Sequence, residues 1–309
     1  MLVYLATYPR SGNSLLQRMM VQNFWVLPTQ VKAAPRPDQA LPKLDGWKIQ
    51  RDREPARGSP ESGLWAPQSI IYRREAAGEP WRRGLTHVPA RFFTEERRRM
   101  LASDSEVYCV KTHHLPFESY LDGERVIQVV RRPGPTLASY FRLLASGATE
   151  DRDLRVFNRP PPTLDRIIAG DVQFGSWGAY HTQWGAAARA LGKRHLRLHF
   201  TKMSEDQASA RDAIGRILHL PVRETQPVNF ERYQAKHPGL NPRGADEGFE
   251  AFYTRRQLTT LWEIHGLAAR ALGFPPPDVD LAGQDEQTNY LNDLIEAAWA
   301  ARGSGAQAQ

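Results

Sequence analysis

The 309-residue chain has a single cysteine, Cys109. One thiol excludes an intrachain disulfide and a cysteine zinc site, and such sparing use of cysteine suits a reducing compartment. Cys109 stands inside an apolar run and reads as a small core residue. No apolar stretch approaches the roughly 18 residues of a membrane span. Met1 runs directly into Leu2-Val3-Tyr4-Leu5-Ala6, without the basic stretch that opens a signal peptide. A soluble, cytoplasmic protein is expected. Internal repeats are absent too. Lysine is scarce: of 41 basic residues only seven are lysine, leaving 34 arginines.

What is there is otherwise ordinary. Hydrophobic residues make up 41% and charged residues 24%, which rules out collagen, mucin and wholesale disorder. With Asp+Glu at 34 the net charge is +7, so an anionic partner is expected: nucleic acid, an acidic membrane surface, or a phosphorylated or sulfated ligand. Arginine binds phosphate and sulfate through a planar fork, although most surface arginines are merely solvated.

Along the chain, Leu2 to Thr7 reads as a buried strand, broken by Pro9 and Gly12 and followed by a helix from about Ser14 to Trp25. From Pro28 to Pro89 the pattern dissolves, with nine of the 23 prolines in this stretch. A lid, a binding loop or a partly disordered insertion is expected there. Helix Thr94–Leu101 carries Glu95-Glu96 in front and Arg97-Arg98-Arg99 behind, which suits the helix dipole.

Strands Val107–Thr112 and Arg125–Val130 come next, then helices Pro135–Ala145, Thr163–Ala169 and Ser176–Leu191. Strand Leu196–Phe200 and helix Glu205–Leu218 follow. Pro221–Glu250 is irregular, helices Arg256–Leu272 and Thr288–Trp299 close the chain, and a disordered tail is expected over 303–309. Alternating strands and helices imply one α/β domain over residues 1–302, with a central parallel sheet flanked by helices and ligands at the carboxyl ends of its strands.

Three segments at those ends carry chemistry. Thr7-Tyr8-Pro9-Arg10-Ser11-Gly12-Asn13-Ser14 joins a strand to a helix. Its backbone amides and the Ser11, Asn13 and Ser14 side chains can donate to one anionic group, with Arg10 adding charge. It is not the Walker A loop, because no Gly-Lys-Ser/Thr ends it. Val110-Lys111-Thr112-His113-His114 ends the next strand. Residues two apart in a strand share a side, so Lys111 and His113 point together, a cation beside a proton-transferring imidazole. His114 reads as structural or exposed. Arg125 to Ser139 delivers Arg131 at a strand end and Ser139 on a proline-started helix, a second anion site.

Together these segments resemble the sulfotransferases that use 3′-phosphoadenosine-5′-phosphosulfate (PAPS). Tyr8–Ser14 is similar to the family's 5′-phosphosulfate loop, which makes the fold P-loop-like. Lys111-Thr112-His113 resembles its catalytic strand, and Arg125–Ser139 its 3′-phosphate motif. Gly175-Ser176-Trp177 with His181 and Trp184 resembles another family segment, as does Phe200–Asp206. Asn241-Pro242-Arg243-Gly244 faintly echoes a late phosphate loop.

The resemblance implies sulfuryl transfer from PAPS to a small-molecule hydroxyl, phenolic or sugar-like, releasing 3′-phosphoadenosine-5′-phosphate (PAP). It places His113 as general base and Lys111 as charge assistant, with Arg10 at the leaving oxygen. Ser11, Gly12, Asn13 and Ser14 would hold the 5′-phosphate, and Arg131 and Ser139 the 3′-phosphate, with Arg243 and Gly244 added from the late loop. Arg10 stands where the family has lysine, and an arginine gives up no proton, so its role is electrostatic. Leu15 stands where many members stack a tryptophan on adenine, which leaves Phe200 as a partner.

No metal is needed by this chemistry. Trp177, His181 and Trp184 share a helix face and serve the core or the acceptor pocket. Trp47, Trp65 and Trp81 line a pocket or anchor the insertion. The oligomeric state stays open. Another P-loop phosphotransferase and a basic nucleic-acid-binding module are the alternatives, but neither has a motif of its own here.

Overall fold

The computed structural model describes residues 1–32, 41–52, 69–75, 78–89, 92–146, 162–229 and 248–276. Thr288–Trp299, the tail, Trp65, Arg243 and Gly244 lie outside the described residues.

The strands are β1 (Leu2–Thr7), β2 (Thr29–Lys32), β3 (Trp47–Arg51), β4 (Ser69–Arg74), β5 (Arg82–Leu85), β6 (His87–Pro89), β7 (Tyr108–Thr112), β8 (Glu124–Val130) and β9 (His195–His199). The α-helices are α1 (Asn13–Phe24), α2 (Glu95–Ser103), α3 (Pro133–Ser146), α4 (Leu164–Ala169), α5 (Trp177–Leu191), α6 (Phe200–Glu205), α7 (Gln207–Leu218) and α8 (Arg255–Ala271). Six strands make one parallel sheet in the order β6-β2-β7-β1-β8-β9. β1 lies between β7 and β8, so the order reverses at β1, where open α/β sheets bind ligands beyond the strand ends.

The Pro28–Pro89 stretch differs from the expected loop. β2 and β6 extend the parallel sheet, while β3, β4 and β5 form an antiparallel sheet of their own. That small sheet packs Ile70 and Tyr72 on Leu27, with Trp47 and Ile49 against them. Trp47 thus anchors the insertion, whereas Trp81 is 37% exposed with Arg73 stacked 4.7 Å from its ring centre.

The chain divides into two compact units. One comprises Met1–Thr7, Gly12–Val130 and Ala186–Val228; the other comprises Tyr8–Ser11, Arg131–Gly185 and the residues from Asn229 onward.

In the first unit every residue of β1 is buried, as a strand covered on both faces requires. Cys109 is wholly buried, and burial raises its thiol pKa far above the ordinary value. A charged pair, Glu124 and Arg98, is among the polar groups buried in this core. Glu124 of β8 accepts from Tyr4 at 2.6 Å, from Arg98 Nε and Nη2 at 2.7 Å each, and from the Leu121 amide at 2.7 Å. Arg98 also lies 4.0 Å from the Phe117 ring centre. A buried carboxylate with four donors is satisfied rather than reactive.

In the second unit α3, α4 and α8 pack on one another. Buried His265 of α8 ties α5 to α4: its Nδ1 accepts from the Gly178 amide at 3.1 Å and its Nε2–H donates to the Ile168 carbonyl at 2.9 Å. Burial pushes its pKa down to about 4, so it serves as a neutral bridge.

Candidate active site

In the first unit, β1 and β7 are parallel neighbours with Ala6 opposite Thr112. Their carboxyl ends therefore finish side by side, and His113 lies one residue past β7. Its Nδ1 is 2.6 Å from the Thr7 carbonyl oxygen and 3.3 Å from Thr7 Oγ1. A carbonyl only accepts, so Nδ1 carries the proton and Nε2 carries the lone pair. Loss of hydration, then the charge of Lys111, push the His113 pKa down to about 3, against the raising effect of the Thr7 carbonyl. The ring is therefore neutral and of fixed tautomer, with a lysine beside it as the strand alternation requires. His114 is exposed and hydrogen-bonds through its amide to Thr112 Oγ1.

Gly12 also belongs to this unit. It caps α1 with φ 106°, a backbone that glycine adopts without strain. A Cβ there would meet the Phe200 ring at 2.4 Å. Phe200 opens α6 instead of ending β9 and is 5% exposed, its ring set against the Gly12 backbone. Asn13 Oδ1 is buried without a hydrogen-bond partner among the described residues. Leu15 is buried, so it packs the core.

In the second unit, Arg10 has φ 68°, the left-handed region that an L-residue enters only at a cost. The Ser11 amide closes the turn on the Tyr8 carbonyl at 3.1 Å. Arg10 Nε donates to Ser139 Oγ at 3.0 Å, and Arg131 Nη1 donates to the Arg10 carbonyl at 3.2 Å. Arg10 is thus joined in one hydrogen-bonded group to Arg131 and Ser139, each more than a hundred residues further along the chain. Ser11 is fully buried, and its Oγ has no hydrogen-bond partner among the described residues. A buried hydroxyl with a proton to donate, next to arginines, suits an oxyanion rather than a cation or an apolar group.

Trp177, His181 and Trp184 are all buried, with the Trp177 and His181 rings 4.4 Å apart, so this helix face is core. Tyr8 joins the same aromatic packing through Tyr140 and Tyr180 and donates its hydroxyl to the Gly175 carbonyl at 2.8 Å. Thr201 and Lys202 are exposed. Sequence reasoning missed Thr7 as the group that orients His113. Its signal was available, because a central strand flanked by β7 ends on it.

A family model, the sulfotransferase domain, matches residues 2–237. No curated protein is similar in sequence. Among solved structures, mouse sulfotransferase SULT7A1 complexed with PAP is 14% identical, with a TM-score of 0.49 and 89% of each chain covered. Retinol dehydratase in complex with retinol and PAP is 12% identical, with a TM-score of 0.45 over 91% of this chain and 82% of that one. Among the described residues no helix is long and apolar enough to cross a membrane. A model that spans most of the chain, and holds Arg10, Lys111, His113, Arg131 and Ser139 within its bounds, places this protein in the sulfotransferase family.

Proposed function

We propose that this enzyme transfers a sulfuryl group from PAPS to the hydroxyl of a small-molecule acceptor, with His113 as the general base. The observation that carries the proposal is the fixed His113 tautomer: Nδ1–H is held by the Thr7 carbonyl at 2.6 Å, and Nε2 is left with the lone pair. PAPS supplies an activated sulfuryl group on a phosphate leaving group.

His113 Nε2 takes the acceptor proton as the hydroxyl oxygen attacks sulfur. Lys111 adds positive charge where the sulfuryl oxygens gather negative charge. Arg10 supplies charge to the bridging oxygen as the sulfur–oxygen bond breaks, and it does so without giving up a proton. The buried Ser11 hydroxyl and the Gly12, Asn13 and Ser14 segment at the start of α1 hold the 5′-phosphate, as helix N-termini do. Arg131 and Ser139 hold the 3′-phosphate, and Phe200, Arg243 and Gly244 complete the nucleotide contacts.

The experiment is incubation of purified protein with sulfur-labelled PAPS and a panel of phenolic, aliphatic and sugar hydroxyls, with PAP binding measured by calorimetry. Label on any acceptor together with PAP binding supports the proposal. Absence of PAP binding contradicts it.

A further inference from the structure

The turn that opens α3 reads Arg131-Arg132-Pro133-Gly134-Pro135-Thr136. Two prolines and a glycine leave it with few donors, and within it the Thr136 hydroxyl donates to the Arg132 carbonyl at 2.8 Å, yet Arg131 at its start and Ser139 within the helix need defined positions. Further support comes from over a hundred residues away. The Tyr253 hydroxyl donates to the Gly134 carbonyl at 2.6 Å and also meets the Ala138 backbone. Gly134 and Ala138 stand four apart, the pair whose carbonyl and amide an α-helix joins. Ala138 is followed directly by Ser139. Tyr253 is fully buried.

A short helical turn, Phe249–Phe252, leads into Tyr253 and closes on the same place. Gly134 lies so close to Phe249 that a Cβ would fall 1.9 Å from the ring. Arg132 is held there as well: its guanidinium is 4.8 Å from the Phe249 ring centre, 3.8 Å from Glu250 Oε1, and donates to the Pro276 carbonyl at 3.0 Å. The two neighbouring arginines are thereby sorted. Arg132 is engaged by Phe249, Glu250 and Pro276, while Arg131 reaches the Arg10 carbonyl.

We propose that Tyr253, backed by Phe249, is a positioning residue for nucleotide binding: it braces the Gly134–Ala138 turn and so sets Arg131 and Ser139 for the 3′-phosphate. Tyr253 touches no reacting atom. The proposal rests on the PAPS reading above and adds to it a part of the chain that carries none of the three motifs.

The test titrates PAP into wild-type protein and Tyr253→Phe, with thermal unfolding and PAPS kinetics measured beside it. Loss of the buried hydroxyl at the brace is expected to weaken PAP binding about tenfold and raise KM for PAPS alike. kcat at saturating PAPS should stay within about twofold, since no group made only in the transition state is touched. Equal PAP binding by Tyr253→Phe and wild type overturns the brace, whatever the melting temperatures. Wild-type protein that does not bind PAP overturns the underlying reading instead.

If Tyr253→Phe does not fold, Gly134→Ala presses the brace from the other side. It should weaken PAP binding about tenfold, and Phe249→Leu in the same chain should restore most of it. Wild-type PAP affinity in Gly134→Ala overturns the proposal.

Discussion

His113 points its Nδ1 at the Thr7 carbonyl oxygen, 2.6 Å away, across the boundary of two parallel strands. The main acceptor is therefore backbone, and Thr7 Oγ1 at 3.3 Å is secondary. Thr7→Val should keep the tautomer and lower kcat by no more than about threefold, as expected for one weak hydrogen bond. Steady-state kinetics with labelled PAPS check this.

The depressed His113 pKa fixes the direction of the pH dependence. Protonation removes the base, so kcat/KM falls on the acid side. Because desolvation and Lys111 lower the pKa from 6.5 toward about 3, the ring stays unprotonated through the mildly acidic range. The acid limb should lie below pH 6.5. A bound nucleotide anion beside Lys111 offsets its repulsion and raises the His113 pKa. NMR titration of the imidazole with and without PAP reads both shifts.

Much of this site is legible in the sequence because Arg10, Lys111, His113 and Arg131 follow apolar runs buried on both faces, where hydrophobicity marks a strand and its end together. The Pro28–Pro89 strands are hidden for the opposite reason. Ser69-Ile70-Ile71-Tyr72-Arg73-Arg74 is short and charged, and its partner β3 ends at Arg51, so no tight-turn signal joins them. Arg98 was unreadable as well. It sits among three consecutive arginines that read as a dipole-matched helix end, while only the Arg98 guanidinium enters the core. The contact between Tyr253 and Gly134 spans 119 residues and leaves no local trace.

Arg98 gives a stability prediction. Its side chain is 7% exposed and that of Glu124 fully buried, at 2.7 Å. Arg98→Ala leaves that carboxylate uncompensated and should cost about 3–5 kcal/mol. Chemical unfolding of the first unit, followed by tryptophan fluorescence, measures the loss.

Acid should also destabilise the fold through neutral histidines. His195, held beside Gln128 at 3.1 Å, has its pKa lowered to about 4 by burial and by Arg197, and His265 reaches about 4 by burial. A lowered folded-state pKa means that the unfolded chain binds more protons below pH 6.5. Stability is therefore full above 6.5 and falls as pH drops toward 4, by up to about 1.4 kcal/mol per pH unit for each histidine. Melting curves at stepped pH test the slope, and His195→Gln should make it shallower.

Arg10 makes the leaving-group role testable. Arg10→Ala removes the charge that meets Ser139 at 3.0 Å and should lower kcat by about 10²–10³. Arg10→Lys should recover most of the rate, because charge and not proton donation is the requirement. Recovery by lysine distinguishes the electrostatic role from a geometric one that only a guanidinium fills.

The most direct measurement compares wild-type protein and His113→Ala for transfer of labelled sulfur from PAPS to one acceptor, with PAP affinity determined for both. The account predicts a fall in transfer of about 10²–10⁴ with PAP binding nearly unchanged. Transfer at the wild-type rate in His113→Ala would contradict it.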